Sequence, residues 1–190
     1  ERNKLDMGSR VDMLREQFRS LEFQTCLDIG ANNGFFSLLA ADAGASVISC
    51  DSDSGSVDQM YRRIGVSRTE NLFPICLDFT KLDSHDVEAL RCDLVLALGF
   101  VHHMKLVEHM TWREIAHYLK CLTVHTLLAE FKVDTAARDG FGGDSDSYGF
   151  DYDLGEFCKS LEEEFSIVQV LGGFSMKGFE SERVLVRCEI

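Results

Sequence analysis

The ten residues Leu27-Asp28-Ile29-Gly30-Ala31-Asn32-Asn33-Gly34-Phe35-Phe36 constrain this chain more than any other part of it. An apolar run suited to a buried strand enters a glycine turn, and the turn opens directly into a helical pattern. Gly30 carries no Cβ, so a ligand can approach the backbone there. The first turn of the helix offers N–H groups that no helical carbonyl satisfies. A strand–turn–helix unit of this kind belongs to a parallel sheet covered by helices, and it leaves a polar-ligand site at the strand's carboxyl end.

The rest of the chain repeats the alternation. A helix is expected over Ser9 to Leu21, with Val11, Leu14, Phe18 and Leu21 at helical spacing, followed by a strand over Thr25 to Ile29. A helix over Phe35 to Ala43, a strand over Ser46 to Asp51, a helix over Val57 to Ile64 and a strand over Leu72 to Leu77 come next. Asp93 to Leu98 is a continuous apolar run, as a strand buried on both faces requires. A helix over Trp112 to Lys120 leads to a strand over Thr123 to Phe131, and a helix over Leu154 to Phe165 precedes two closing strands, Ser166 to Leu171 and Arg183 to Cys188. The short stretch between the last two reads as a hairpin. The expected fold is therefore α/β: a doubly wound, mostly parallel seven-stranded sheet with an antiparallel last strand.

At 190 residues the chain fits a single domain, taken here as 1–190 with its N-terminal helix inside 1–24. It lacks an initiator Met, which reads as a trimmed chain or a domain cut from a longer one. No run of ~18 apolar residues predicts a membrane span, and no signal-peptide pattern opens the chain. The net charge of −13 opposes nucleic acid, whose binding draws on basic contacts to phosphate. The 7 cysteines form no Cys-x-x-Cys pair. Cys26, Cys50, Cys76 and Cys188 lie in or beside strand-like runs and read as buried reduced thiols of a cytoplasmic protein.

Several ligands compete for the glycine turn. A dinucleotide site wants a second glycine where Asn32 stands, and a phosphate loop wants Gly-Lys-Ser/Thr, which is absent. A ligand-free structural turn is the plain alternative. Asp51 ends the second strand about twenty residues after Gly30, where an acid can take both hydroxyls of a ribose. That pairing suits S-adenosylmethionine, which has a ribose and an adenine but no phosphate.

The same residues carry a family resemblance. Leu27 to Gly34 resembles the first motif of the class I (Rossmann-like) S-adenosylmethionine-dependent methyltransferases. Val47-Ile48-Ser49-Cys50-Asp51 resembles their second strand with its ribose acid, Leu77-Asp78-Phe79 their third-strand motif, and Asp93 to Gly99 their fourth strand. The likeness spans roughly Thr25 to Ile190. Within the family, Leu98-Gly99-Phe100-Val101-His102-His103-Met104, Leu127 to Lys132 and Glu182-Arg183-Val184-Leu185 are similar to the methyltransferase part of bacterial O-antigen chain-terminating enzymes. The resemblance implies S-adenosylmethionine as cofactor. Asp28 and Gly30 would shape its methionine end, with Asn32, Asn33 and Gly34 in the turn. Asp51 and Ser52 would meet the ribose, Asp78 and Phe79 would flank the adenine, and Leu98 and Gly99 would close the site from the fourth strand.

The acceptor side is expected beyond the fourth and fifth strands. His102 and His103 are candidates for acceptor binding or proton removal, Glu130 for a base or an orienter of histidine, and Lys132, with Arg183, for an anion contact. An ionised acceptor would need no base. The Gly- and Asp-rich stretch 133–152, with Phe141, Tyr148 and Phe150, is expected to act as a lid. A metal ion is not expected, since His102, His103 and His109 with Glu130 and Asp134 have no standard ligand spacing. The expected activity is methyl transfer to an oxygen (phosphate, carboxylate or hydroxyl) of a saccharide or other small molecule, with other domains of a longer polypeptide as further partners. Two alternatives stand beside it: a nucleic-acid methyltransferase, for which Arg62, Arg63 and Arg68 are the only local basic cluster, and a catalytically inactive scaffold that binds S-adenosylmethionine.

Overall fold

A computed structural model describes residues 8–133, 152–175 and 182–190. The chain runs α1 (Gly8–Ser20), β1 (Thr25–Ile29), α2 (Phe35–Asp42), β2 (Ser46–Asp51), α3 (Ser54–Ser67) and β3 (Leu72–Cys76). After a 3-10 turn at Phe79–Lys81 come α4 (Ser84–Ala89), β4 (Cys92–Ala97), α5 (Val101–Leu106), α6 (Trp112–Leu122) and β5 (Thr123–Lys132). The chain closes with α7 (Leu154–Glu162), β6 (Ile167–Ser175) and β7 (Glu182–Glu189). The strands form one seven-stranded sheet in the order β3-β2-β1-β4-β5-β7-β6. β1 to β5 are mutually parallel, and β7 lies antiparallel between β5 and β6.

Strand side chains alternate between two cores. Leu27, Ile29, Val95, Ala97, Leu127 and Ala129 face α6 and α7, where Ile115, Leu119, Phe157 and Leu161 meet them. Cys26, Leu94, Leu96 and Leu128 face the other way, toward Val11, Leu14 and Phe18 of α1 and Ala40 of α2. The period of two along each strand thus feeds both layers, and β1, β4 and β5 are buried on both faces.

Two helices escaped the sequence reading. α4 is six residues long and buries none of them; it stands on a capping box between Asp83 and Asp86. α5 begins two residues beyond Gly99, where the fourth-strand motif was expected to end in a turn, and buries Val101, His102 and Met104. α3 begins at Ser54, ahead of the expected Val57, because Asp53 caps it by accepting from the Ser56 N–H. All seven cysteines are free, and Cys26, Cys50 and Cys188 are buried as expected. Cys76 is exposed instead. β3 is the sheet edge, and only Leu72 and Pro74 of its five residues are buried. The expected lid lies outside the described residues save its end residues Val133 and Tyr152. No helix among the described residues is long and apolar enough to cross a membrane.

Leu119 is fully buried between α6 and the sheet. Leu119→Ala should lower the unfolding free energy by about 2–5 kcal/mol, read as a shifted urea midpoint at unchanged slope.

Candidate active site

A cleft of about 580 Å³ opens at the carboxyl ends of β1, β2 and β4. That volume suits a ligand of nucleoside size with its substituents, since such pockets run ~300–1,000 Å³. The strands that line it part at this point. β1 leads by α2 to β2 on one side, and its neighbour β4 leads by α5 and α6 to β5 on the other.

The β1–α2 turn is built from left-handed backbone. Gly30 has φ 66, Asn32 φ 51 and Gly34 φ 71. Asparagine tolerates this region better than other side chains, which explains how Asn32 stands where the dinucleotide pattern has glycine. Its Oδ1 accepts from the Asn33 N–H at 2.8 Å. A Cβ on Gly30 would lie 3.0 Å from Phe100 Cδ2, and one on Gly34 would lie 2.7 Å from Met60 Cγ. Gly30 therefore keeps the cleft floor open, whereas Gly34 is buried against α3 and does not line the cleft.

Four carboxylates occupy different environments. Asp51 lines the cleft and accepts from the N–H groups of Asn32, at 2.8 Å, and Asp53, at 2.9 Å. Asp78 also lines it. Hydrogen bonds from Lys81 and then Thr80 draw its carboxyl down to about 2. Asp28 is 2 % exposed and borders the cleft. Burial pushes it up to about 7, against a hydrogen bond donated by Ser37 at 2.6 Å. Ser37 meets Ser49 in turn, at 2.7 Å, so a buried polar thread joins β1, α2 and β2. Glu130 does not line the cleft. Its two oxygens accept from Arg10 at 2.7 and 2.8 Å, and one of them also accepts from Arg183 at 2.8 Å. Its carboxylate is thus engaged by two guanidiniums.

The two histidines part company. His103 lines the cleft; burial and then Lys132 lower its basicity, so the ring is neutral near pH 7. His102 is 7 % exposed and turned into the fold, with a buried Nδ1 that has no hydrogen-bond partner. Burial and then His103 push it down to about 3. The rings lie 4.3 Å apart, so His102 backs His103 without reaching the cleft. Lys132 is buried at the end of β5 and is likewise not in the lining.

Asn33, Ser52, Phe79, Leu98 and Gly99 also line the cleft. Arg10 and Phe100 line it unexpectedly. Arg10 lies on the apolar stripe of α1 with Val11, Leu14 and Phe18, and an arginine on such a stripe was the signal available. Phe100 packs edge-on to Phe79 at 5.9 Å and gives the cleft an apolar wall. The group of three possible metal-ligating residues among the described ones is Asp83, His85 and Asp86, exposed and away from the cleft, and Asp83 is already spent capping α4.

Comparison with known proteins decides the family. Residues 27–121, half of the chain, match the family model described as a methyltransferase domain. The chain belongs to this methyltransferase family. It is 27% identical over 158 residues to the nodulation protein NoeA of Rhizobium meliloti (strain 1021), covering 76% of this chain and 33% of NoeA. The bifunctional kinase-methyltransferase WbdD superposes with a TM-score of 0.72 at 18% identity, over 96% of this chain and 39% of WbdD. The N-terminal domain of EvdMO1 with S-adenosylhomocysteine bound gives 0.68 at 18%, over 98% of this chain and 82% of that domain. The magnesium protoporphyrin IX methyltransferase ChlM of Synechocystis PCC 6803, with S-adenosylmethionine bound, gives 0.62 at 19%, over 96% and 77%. At such identities the structures establish a shared fold. The chain spans a third of NoeA and about two fifths of WbdD.

The methyltransferase's cofactor is S-adenosylmethionine, and the residues present fit it. The cradle at Gly30 is one that a Cβ would fill, Asp51 ends β2 in the cleft wall as an acceptor that ribose hydroxyls could meet, and Phe79 and Phe100 supply an apolar wall. Gly30→Ala would add about 1–2 kcal/mol of left-handed strain and press on Phe100. Calorimetry should show weakened S-adenosylhomocysteine binding, and unchanged binding would refute the cradle. Asp28 gives a pH test. Its folded value of about 7 exceeds its ordinary 3.8, so its contribution to stability is full below about pH 4 and is lost as pH rises through 7. Asp28→Asn should show a smaller fall in unfolding free energy between pH 5 and 7.5 than the wild type.

Proposed function

We propose that this methyltransferase acts on an oxygen of a saccharide or other small molecule. The observation that carries the reading is His103, a neutral imidazole lining the cleft just beyond the carboxyl end of β4. When bound, S-adenosylmethionine supplies an electrophilic methyl group on a sulfonium. Asp51 holds the ribose hydroxyls, Asp78 and Phe79 border the base, and the Gly30 turn receives the amino-acid end. His103 then takes the proton of an acceptor hydroxyl, a role open to a neutral imidazole through its unprotonated nitrogen. Burial and then Lys132 favour its neutral form. For an acceptor that is already ionised, the same corner of the cleft stabilises charge and removes no proton.

The neighbours support a small acceptor. EvdMO1's N-terminal domain was crystallised with S-adenosylhomocysteine and D-fucose, a sugar, and WbdD couples a kinase to a methyltransferase. The net charge of −13 opposes a long nucleic acid.

The test begins with calorimetric binding of S-adenosylhomocysteine, expected for the wild type and lost in Asp51→Ala. Sugars, sugar phosphates and carboxylates are then screened with S-adenosylmethionine, with S-adenosylhomocysteine release as the signal. His103→Ala should leave S-adenosylhomocysteine affinity intact and lower turnover of a hydroxyl acceptor by roughly 10²–10⁴-fold. A small effect would assign the acceptor to the ionised class. Turnover confined to a nitrogen, sulfur or carbon acceptor would refute the proposal.

A further inference from the structure

Three charged side chains from distant parts of the sequence meet at the wall of the cleft. Arg10 comes from α1, Glu130 from β5 and Arg183 from β7, with side chains 10%, 0% and 15% exposed. Arg10 grips the carboxylate through Nε and Nη2, and Arg183 adds Nη1 to the oxygen that Nη2 already holds. The order of exposure matters. Arg10 and Arg183 line the cleft, and Glu130 between them does not.

Within this trio two positive charges share one negative charge. A buried charge is costly unless it is paired, and removing one partner strands the others. The surrounding atoms hold the trio in one arrangement. The Phe36 ring lies 4.3 Å beneath the Arg10 guanidinium, a cation–π contact that orients its plane. On the far side Gly99, at φ 80, clears the space that Arg183 uses, since a Cβ there would stand 3.1 Å from Arg183 Nη1. Arg183 thus crosses β5 to reach the end of β4, beside the turn where donor and acceptor must meet.

We infer that Arg183 is the cleft's contact for an oxoanion, and that Glu130, itself gripped by Arg10, is the positioning residue that aims it. A planar guanidinium matches the two-oxygen edge of a carboxylate or phosphate. The inference rests on the methyltransferase reading. One chemistry has two sources here: the carboxylate on the amino-acid end of the donor, or an ionised group on the acceptor. Glu130 acts by holding Arg183 in place and takes no proton.

Calorimetry with three probes tests this on the whole chain. S-adenosylhomocysteine carries the donor carboxylate. 5′-Methylthioadenosine keeps the nucleoside and lacks the amino-acid end. Inorganic phosphate, titrated into the methylthioadenosine complex, stands for an ionised acceptor. Arg183→Gln should weaken an oxoanion probe by roughly 10- to 100-fold, as loss of a charge-assisted hydrogen bond does, and leave methylthioadenosine unchanged. A loss confined to S-adenosylhomocysteine assigns the oxoanion to the donor, and a loss confined to phosphate assigns it to the acceptor. Glu130→Gln should reproduce the same selective loss, and Arg10→Lys should lose less than Arg10→Ala. Unchanged affinity for both oxoanion probes in Arg183→Gln overturns the inference. If Glu130→Gln also loses methylthioadenosine, its fold has failed, and the Arg10 pair decides: oxoanion affinities equal to wild type in both variants overturn the positioning role. Failure of either nucleoside probe to bind the wild type overturns the methyltransferase reading itself.

Discussion

β1 and β4 are hydrogen-bonded neighbours, yet the chain leaves their carboxyl ends in opposite directions. A gap must open where the two connections diverge, and no side chain of either strand can fill it. Every other feature of the site depends on that gap. The Gly30 turn rises on one side and the Gly99 turn on the other, both in left-handed backbone. β2, beside β1, brings Asp51; β5, beside β4, brings Glu130 and Lys132. The parallel sheet thus collects residues that are far apart in sequence, and its hydrogen-bond ladder holds them in register.

Charge is distributed unevenly around this gap. Acids gather on the β1–β2–β3 side, where Asp51 and Asp78 accept hydrogen bonds from nearby backbone N–H groups. Cations gather toward β5 and β7, where Arg10 and Arg183 share Glu130. In a chain of net charge −13 such a cationic corner is a local exception. Burial amplifies it, because a charge withdrawn from water is screened less. The same burial keeps His102 neutral and raises Asp28, so two groups that look alike in sequence to their exposed counterparts behave differently here.

The alternation of apolar runs with helical patterns was readable because β1, β4 and β5 are buried on both faces, which makes their central residues mostly apolar. Short elements were not readable. α4 has no buried face to leave a periodic trace, and α5 spans too few residues to show one. Cys76 misled for a related reason: an apolar run looks the same whether its strand is central or at the edge, and only the sheet order places β3 outermost.

The residues of the glycine turn and the acid that follows it were visible in the linear chain because their chemistry is local. A left-handed turn needs glycine or asparagine, and the spacing to Asp51 spans one strand–helix–strand unit. That much is set by covalent geometry and by the length of one crossover. The acceptor side was visible only as a collection of polar residues. Four candidates, His102, His103, Glu130 and Lys132, carry equal weight in the sequence, and nothing local separates them. The packed fold separates them by exposure: His103 lines the cleft, His102 and Lys132 turn inward, and Glu130 is claimed by two arginines from the first helix and the last strand. Contacts across 120 and 53 positions leave no periodic mark in a sequence, because they arise from the stacking of layers and not from neighbours along the chain.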